Sequence, residues 1–218
     1  MKTGIVTGAN RGIGKATFKY LADRNYNVIG TARNVDVTQK LDNTKWYQLD
    51  LAEPNSIHAL TQKLQSEKID FIINNAGILL EQWDNTNINL QQLRDTFNVN
   101  VFGTIELTEK LLPYLNMGGH IINISSAWGS FSDPYFDEFQ PHYKMSKAAL
   151  NMYTKLLANR LRPNNIKVSA LDPGWTQTDM GGANASRKPD EVAKEIFELL
   201  EGNLKTGKFW HRGTIREW

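Results

Sequence analysis

The sequence predicts a doubly wound parallel α/β sheet with helices on both faces, and three observations carry that prediction. Strand-like and helix-like stretches alternate along all 218 residues, with no composition break between the halves. The strand-like runs Asp70–Asn74 (DFIIN) and His120–Ser125 are too apolar for half-exposed strands and fit the centre of a sheet buried on both faces. The stretches between strands are long enough for crossover helices. At this length one large domain, residues 1–218, is the default. Such a chain buries roughly 70% of its unfolded surface without a disulfide or metal staple.

Each element follows from local pattern. Ile5–Val6, flanked by Thr3 and Thr7, reads as a short buried strand. Lys15–Arg24 carries Ala16, Phe18, Leu21 and Ala22 at helical spacing. Val28–Thr31 and Trp46–Leu49 read as strands. Asn55–Glu67 is an amphipathic helix preceded by Pro54, with Asn55 or Ser56 as its cap. Leu90–Asn116 reads as helical over much of its length, stopped by Gly118–Gly119. Tyr143–Leu161 is a helix ended by Pro163, and Lys167–Leu171 a strand closed by Asp172-Pro173-Gly174. Pro189–Leu200 is a helix opening on proline, with Asp190 and Glu191 favourably placed against its dipole. Lys208–Trp210 reads as a last short strand.

Composition removes several function classes. Hydrophobic residues make up 40% of the chain and charged residues 22%, an ordinary globular balance. Twenty-five Lys and Arg against 23 Asp and Glu leave a formal charge of +2, with no basic cluster to hold nucleic acid. The absence of Cys excludes disulfides, zinc–thiolate sites, iron–sulfur clusters and cysteine nucleophiles together. The four His, at 58, 120, 142 and 211, show no close ligand spacing, so no metal is expected. No apolar run approaches the roughly 18 residues of a membrane span. The N-terminal MKTGIVTGAN reaches a glycine turn too early for a signal-peptide core, and a cytoplasmic location is expected.

In sheets of this kind the ligand sits beyond the carboxyl ends of the strands. Those ends fall at Gly8, Arg33, Asp50, Asn74–Gly77, Ser125–Ser126 and Pro173. Thr7-Gly8-Ala9-Asn10-Arg11-Gly12-Ile13-Gly14 follows the first strand and opens a helix, the context in which glycines let backbone N–H groups approach a pyrophosphate. A triphosphate-binding loop is excluded twice, because Ala9 stands where it requires glycine and Ala16 where it requires Ser or Thr. No acid stands at the tip of the second strand to accept from ribose hydroxyls. Arg33 and Arg11 instead offer forked donors to a 2′-phosphate, which favours NADP(H) over NAD(H). Both arginines also read as solvated loop residues.

Tyr143 and Lys147 are four apart and share a helical face. A fixed ammonium beside a phenol favours the phenolate, which otherwise forms only near pH 10. The bland reading is an aromatic anchor with a surface lysine. Ser125 and Ser126 end an apolar strand at the crevice, and no Gly-x-Ser-x-Gly elbow surrounds them, which counts against an esterase.

With these pieces in order, the chain resembles the short-chain dehydrogenase/reductase family over essentially its full length. The matching motifs are Thr7–Gly14, Asp50-Leu51, Asn74-Asn75-Ala76-Gly77, Asn98-Val99-Asn100, Ile122–Ser126, Tyr143–Lys147 and Pro173-Gly174. Pro173–Met180 and Gly207–Trp210 look most like its carbonyl-reductase-like branch. The resemblance implies a single-domain Rossmann-type fold and an NADPH-dependent reduction of ketones or aldehydes. It implies that Tyr143 protonates the carbonyl oxygen, and that Lys147 lowers the tyrosine's pKa and bonds the nicotinamide ribose. Ser126 would orient the carbonyl, and Asn100, at a break in its helix, would hold a water linking Lys147 to solvent. Gly8, Asn10, Arg11, Gly12, Ile13, Gly14 and Arg33 would bind the cofactor. Asp50 and Leu51 would flank its adenine, Asn75, Ala76 and Gly77 would line its wall, and Pro173, Gly174 and Thr178 would close around the nicotinamide. Asn74 would brace the sheet.

One departure stands out: Ser126 and Tyr143 are 17 positions apart, a few more than is commonest in the family. The extra residues lie in 130–141 (SFSDPYFDEFQP), whose Phe131, Tyr135, Phe136 and Phe139 either edge the substrate mouth or pack the loop. Ser130 stands nearer the usual spacing but lacks the preceding buried strand, so Ser126 is preferred. Residues 179–188, rich in Gly and Ala, leave only a short substrate lid and imply a broad substrate range. A homodimer or homotetramer using Leu90–Asn116 and Tyr143–Leu161 as a seam fits the family. The rival readings are an NADP(H)-sensing regulator on the same fold and a nucleotide-sugar epimerase or dehydratase, which normally needs a longer C-terminal substrate region.

Overall fold

In the computed structural model, which describes residues 1–35 and 41–218, the apolar runs become strands and the amphipathic stretches cross between them. The first half runs β1 (Thr3–Val6), α1 (Gly12–Ala22), β2 (Asn27–Ala32), β3 (Thr44–Gln48), α2 (Pro54–Lys63) and β4 (Ile69–Asn74). The second runs α3 (Leu90–Phe97), α4 (Thr104–Leu111), β5 (Leu115–Ile124), α5 (Pro141–Arg160), β6 (Lys167–Leu171), α6 (Pro189–Glu201), β7 (Lys208–His211) and β8 (Thr214–Arg216). These strands form one sheet in the order β3-β2-β1-β4-β5-β6-β7-β8. All pairings are parallel except that of β7 with β8. The order reverses between β1 and β4, and at such a switch point sheets of this kind hold a ligand in a crevice beyond the carboxyl ends of the strands.

Alternation along the strands sends successive side chains to opposite faces. Ile5, Ile72 and Ile121 join Ile57, Leu60, Leu107 and Leu157 from α2, α4 and α5 in one core. Val6, Ile73 and Ile122 join Phe18, Leu21, Val192 and Ile196 from α1 and α6 in the other. The doubly wound fold expected from the sequence is therefore present. No helix among the described residues is long and apolar enough to cross a membrane.

Three local expectations are corrected. The single helix expected over Leu90–Asn116 is α3 and α4, joined by a wider π-helical turn at Asn98–Gly103, and it stops well short of the glycine pair. Pro113 lacks the N–H that would continue the helix, so Leu112–Tyr114 tightens into a 3₁₀ turn and β5 begins at Leu115. Gly118 and Gly119 sit instead inside a bulge. Leu115 pairs with Ile69 and His120 with Phe71, and Gly118 takes φ +79° to absorb the extra residues. Neither Asn55 nor Ser56 caps α2. Pro54 occupies its first turn, and the Ser56 hydroxyl accepts the Asp50 N–H at 2.9 Å. Beyond these, β8 joins β7 through Arg212-Gly213, both at positive φ, a two-residue hairpin with neither Asn-Gly nor Asp-Gly to announce it.

A buried polar chain ties the sheet to the two helices behind it. The Asn74 amide donates to Thr108 Oγ1 (2.9 Å) and Asn123 Oδ1 (2.8 Å), and Asn123 donates to Thr154 Oγ1 (2.8 Å). Asn74 thus braces β4, β5, α4 and α5, as the resemblance implies. Asn74→Leu leaves the buried Asn123 Oδ1 without its donor and removes a second bond to Thr108, which costs about 2 kcal/mol. The expected outcome is a fall of about 4–8 °C in Tm by thermal melting; an unchanged Tm contradicts this account of the brace.

Candidate active site

The crevice at the β1/β4 switch point is floored by the glycine turn. Gly8 and Gly12 adopt φ of +64° and +51°, which favour glycine. At Gly14 a Cβ would lie 2.2 Å from the Gly8 carbonyl oxygen, so that position admits no side chain without opening the turn. Thr7, which sequence reasoning gave no role, holds the two strand ends together: its hydroxyl accepts the N–H groups of Asn75 and Ala76, each at 2.9 Å. The Asn75 amide donates to the carbonyls of Thr7 (2.8 Å) and Gly8 (3.3 Å), so this side chain shapes the turn from behind. Arg11 precedes α1 without a side-chain cap bond, and the first turn of α1 carries no acid. Helix-start N–H groups with no capping side chain, beside a turn that excludes Cβ atoms, fit a dinucleotide pyrophosphate.

Around this turn, Asn10, Arg11 and Arg33 are exposed, and Gly12 and Ile13 are half-buried. The Arg11 guanidinium donates to Asp179 Oδ2 at 2.5 Å across the crevice mouth, an exposed ion pair worth little in stability. Thr178 packs its methyl over Gly12, bringing the segment after β6 onto the glycine turn. Asp50 turns its carboxylate to the Ala52 N–H at 3.0 Å, while Leu51 sends its side chain into the core.

The second half of the site comes from the start of α5. Tyr143 and Lys147 are both buried, on one face as the spacing predicts. The Lys147 ammonium donates to the Ile124 carbonyl at 2.9 Å and lies 5.4 Å from the centre of the Tyr143 ring. Ser126 caps a 3₁₀ turn at Ala127–Gly129, its Oγ accepting the Trp128 N–H at 3.2 Å. Ser125 is turned away and donates to Asn151 Oδ1 at 2.6 Å. Asn100 stands in the π turn, where the helical ladder is broken. Its amide accepts from Ile78 N–H (2.8 Å) and donates to Ile78 O (2.9 Å) and Ser146 Oγ (3.1 Å). Gly77 packs where a Cβ would meet both Asn100 Oδ1 and Lys147 Nζ, at 3.2 and 3.5 Å. Ser126, Tyr143 and Lys147 thus lie together, and Lys147 meets Asn100 over Gly77.

Electrostatics give the cluster its character. Burial pushes the Tyr143 phenol well above its ordinary value, the Asp172 and Glu81 carboxylates push it further, and a hydrogen bond from Ser126 opposes them. Burial pushes Lys147 down to about 8. The resemblance implies that Lys147 lowers the tyrosine's pKa; here dehydration of the phenol is the largest influence on it, with the Asp172 and Glu81 carboxylates acting in the same direction. Burial alone would also raise the Asp172 carboxyl. Hydrogen bonds from His211 and the Gly174 N–H, with the charges of His211 and Arg216, hold it below its ordinary value instead. Arg216 donates to Asp172 Oδ2 at 2.6 Å, and that hydrogen-bonded carboxylate raises His211. This anchor under Pro173-Gly174 escaped sequence reasoning because the turn that folds Arg216 back beside His211 left no sequence signal.

Trp128 is a second residue without a sequence signal. Its ring meets Tyr143 edge-on at 6.1 Å and Trp83 at 5.9 Å, forming an aromatic wall beside the phenol. In the 130–141 loop, Phe131, Tyr135 and Phe136 are 87%, 83% and 64% exposed, so they do not pack the loop. Ser130 points elsewhere and donates to the Glu217 carbonyl at 3.1 Å. The segment after Thr178 is anchored by Arg187, which donates to the Pro173 carbonyl (3.0 Å) and pairs with buried Glu195.

Comparisons with known proteins agree with this geometry. Residues 2–189 match the family model described as short chain dehydrogenase. The chain is 32% identical over 212 residues to the 3-ketodihydrosphingosine reductase of Bacteroides thetaiotaomicron, covering 94% of this chain and 74% of that one. It superimposes on the carbonyl reductase Sniffer of D. melanogaster with a TM-score of 0.90 at 27% identity, all of both chains being covered. With the NADPH-bound carbonyl reductase from chicken fatty liver the TM-score is 0.87 at 28% identity, covering 100% of this chain and 94% of that one.

Gly14→Ala forces a methyl against the Gly8 carbonyl. NADPH affinity, measured by fluorescence titration, is expected to fall at least about tenfold, a loss of about 1.4 kcal/mol, while the melt stays cooperative. Parent affinity in this variant contradicts the assignment of the turn.

Proposed function

We propose, since this chain belongs to the short-chain dehydrogenase/reductase family of oxidoreductases, that it reduces ketones and aldehydes with NADPH, using Tyr143 as the proton donor. The observation that carries the reading is a buried phenol kept protonated at the crevice, with Lys147 and Ser126 beside it. The nicotinamide, when bound, supplies the hydride that reaches the carbonyl carbon. Ser126 holds the carbonyl oxygen by a hydrogen bond and Tyr143 gives it a proton, so the products balance as an alcohol. A phenol that resists ionisation alone still transfers its proton to an oxygen on the way to alkoxide, which is far more basic. Lys147 then faces the phenolate left behind and stabilises it. Asn100 holds the Ile78 backbone against α5, keeping the wall at Gly77 next to Lys147.

Residues Gly8, Asn10, Arg11, Gly12, Ile13 and Gly14 would cradle the pyrophosphate, with Asp50 and Leu51 beside the adenine. The backbone at Asn75, Ala76 and Gly77 would line the wall, and Pro173, Gly174 and Thr178 would close the nicotinamide end. Exposed Arg11 and Arg33 support NADPH, because their forked donors suit a 2′-phosphate. The NADPH-bound carbonyl reductase of the same fold adds to that support.

The mouth supports apolar carbonyl substrates. Trp83, which packs on the Trp128 that meets Tyr143, is exposed, as are Phe131, Tyr135 and Phe136 of the 130–141 loop, and residues 179–188 would leave only a short lid. A broad substrate range follows. The exposed Met152 and Leu156 of α5, with Phe102 before α4, support a homodimer seam on these helices.

Tyr143→Phe is expected to lower the rate of carbonyl reduction, followed by NADPH absorbance, by at least about a hundredfold while NADPH binding persists. A rate near the parent's would sink the assignment. Titration is expected to show tighter NADPH than NADH binding, with the preference reversed or abolished in Arg33→Asp. Equal affinities in the parent protein refute the cofactor reading.

A further inference from the structure

A helix that begins in the interior needs acceptors for its first N–H groups. In α5 the residue placed to supply one, Gln140, does not: it adopts a left-handed conformation (φ 48°) and makes no side-chain cap bond. Its amide turns instead to the carbonyls of Gln82 (3.1 Å) and Trp83. Pro141, the first helical residue, has no N–H to satisfy. The next two N–H groups, of His142 and Tyr143, both donate to one oxygen of Glu81, at 2.7 and 3.1 Å. These are the positions an N-cap side chain normally serves. Glu81 caps α5 from a loop some sixty residues earlier, and its side chain is wholly buried.

His142 packs against the carboxylate in turn. The Asn89 N–H donates to His142 Nε2 at 3.0 Å, and the other ring nitrogen, Nδ1, lies 3.1 Å from the same Glu81 oxygen. The Gln140 N–H donates to the Asn85 carbonyl at 2.9 Å. One continuous stretch, residues 75–89, therefore does three things. It lines the crevice wall at Asn75–Gly77, it is gripped by Asn100 at Ile78, and at Glu81 it holds the backbone of Tyr143.

We propose that Glu81 is a positioning residue for the reaction, setting the Tyr143 hydroxyl against the crevice wall by accepting the tyrosine's own backbone N–H. The inference rests on the role proposed above for Tyr143. Glu81 touches no reacting atom and acts through the helix start it caps.

Three variants test it alongside Tyr143→Phe. Glu81→Gln keeps an oxygen at the same reach and removes the charge. Glu81→Asp keeps the charge and withdraws the oxygen by one methylene. Glu81→Ala removes the cap. For each, kcat, the KM for the carbonyl, NADPH affinity and Tm are measured, with kcat taken well below the melt. The proposal expects Glu81→Gln to retain most of the parent kcat. Glu81→Asp and Glu81→Ala are expected to lose about tenfold in kcat, with NADPH affinity within about twofold of the parent's. If Glu81→Ala does not fold, the order of Gln above Asp decides alone. A kcat in Glu81→Asp equal to the parent's, with or without a lower Tm, overturns the proposal, as does Gln falling as far as Asp. If Tyr143→Phe turns over at the parent rate, the reading of Tyr143 fails first. If that variant is silent while the Asp and Ala variants keep full kcat, only the inference about Glu81 fails.

Discussion

The structure depends on α5 entering the interior with a polar face. Tyr143, Ser146, Lys147, Asn151 and Thr154 recur at helical spacing on its inward side, where a packed helix ordinarily presents apolar residues, and all five are buried. A buried polar group left without a partner costs about 1–3 kcal/mol, so each must find one. Ser146 accepts from the Asn100 amide (3.1 Å) and Thr154 from the Asn123 amide (2.8 Å), while Lys147 donates to the Ile124 carbonyl and Asn151 to the Gly129 carbonyl (3.0 Å). Two of those acceptors lie at or just beyond the carboxyl end of β5. A helix fastened this way cannot slide or rotate against the sheet without stranding several groups at once, and the phenol it carries inherits that fixity.

The same burial governs the chemistry. A phenol removed from water and flanked by Asp172 and Glu81 holds its proton, whereas an ammonium removed from water loses its own more readily. The two shifts bring the pair towards a state in which the proton rests on the phenol oxygen. The lowered pKa expected for the tyrosine from local spacing alone is a statement about a charge at four residues' distance. It leaves out the dehydration that comes with the fold, which is the largest influence on this phenol.

How much of this was legible in the sequence depends on the range of the interaction. The strand β4, the second half of β5, the glycine turn and the Tyr143/Lys147 face are written in contiguous residues, and each was readable as period or spacing. Asn74 and Asn100 were reachable only by resemblance, since their partners lie on other elements. Where a single residue overrides a periodic pattern the reading failed, as at Pro113, which ended a helix the apolar spacing would have continued. Glu81 was invisible for a different reason: its partners are backbone N–H groups, which every residue but proline possesses, so no residue type marks them. The Asp172, His211 and Arg216 cluster was hidden likewise, because a hairpin with an unremarkable turn brings it together.

The central claim is that burial makes Tyr143 a stored acid at the crevice. Ultraviolet titration of tyrosinate absorbance, as the difference between the parent protein and Tyr143→Phe without cofactor, tests it most directly. The account predicts that Tyr143 is still a neutral phenol at a pH of about 8, where Lys147 is giving up its proton. A tyrosinate signal assigned to Tyr143 near neutral pH would contradict it.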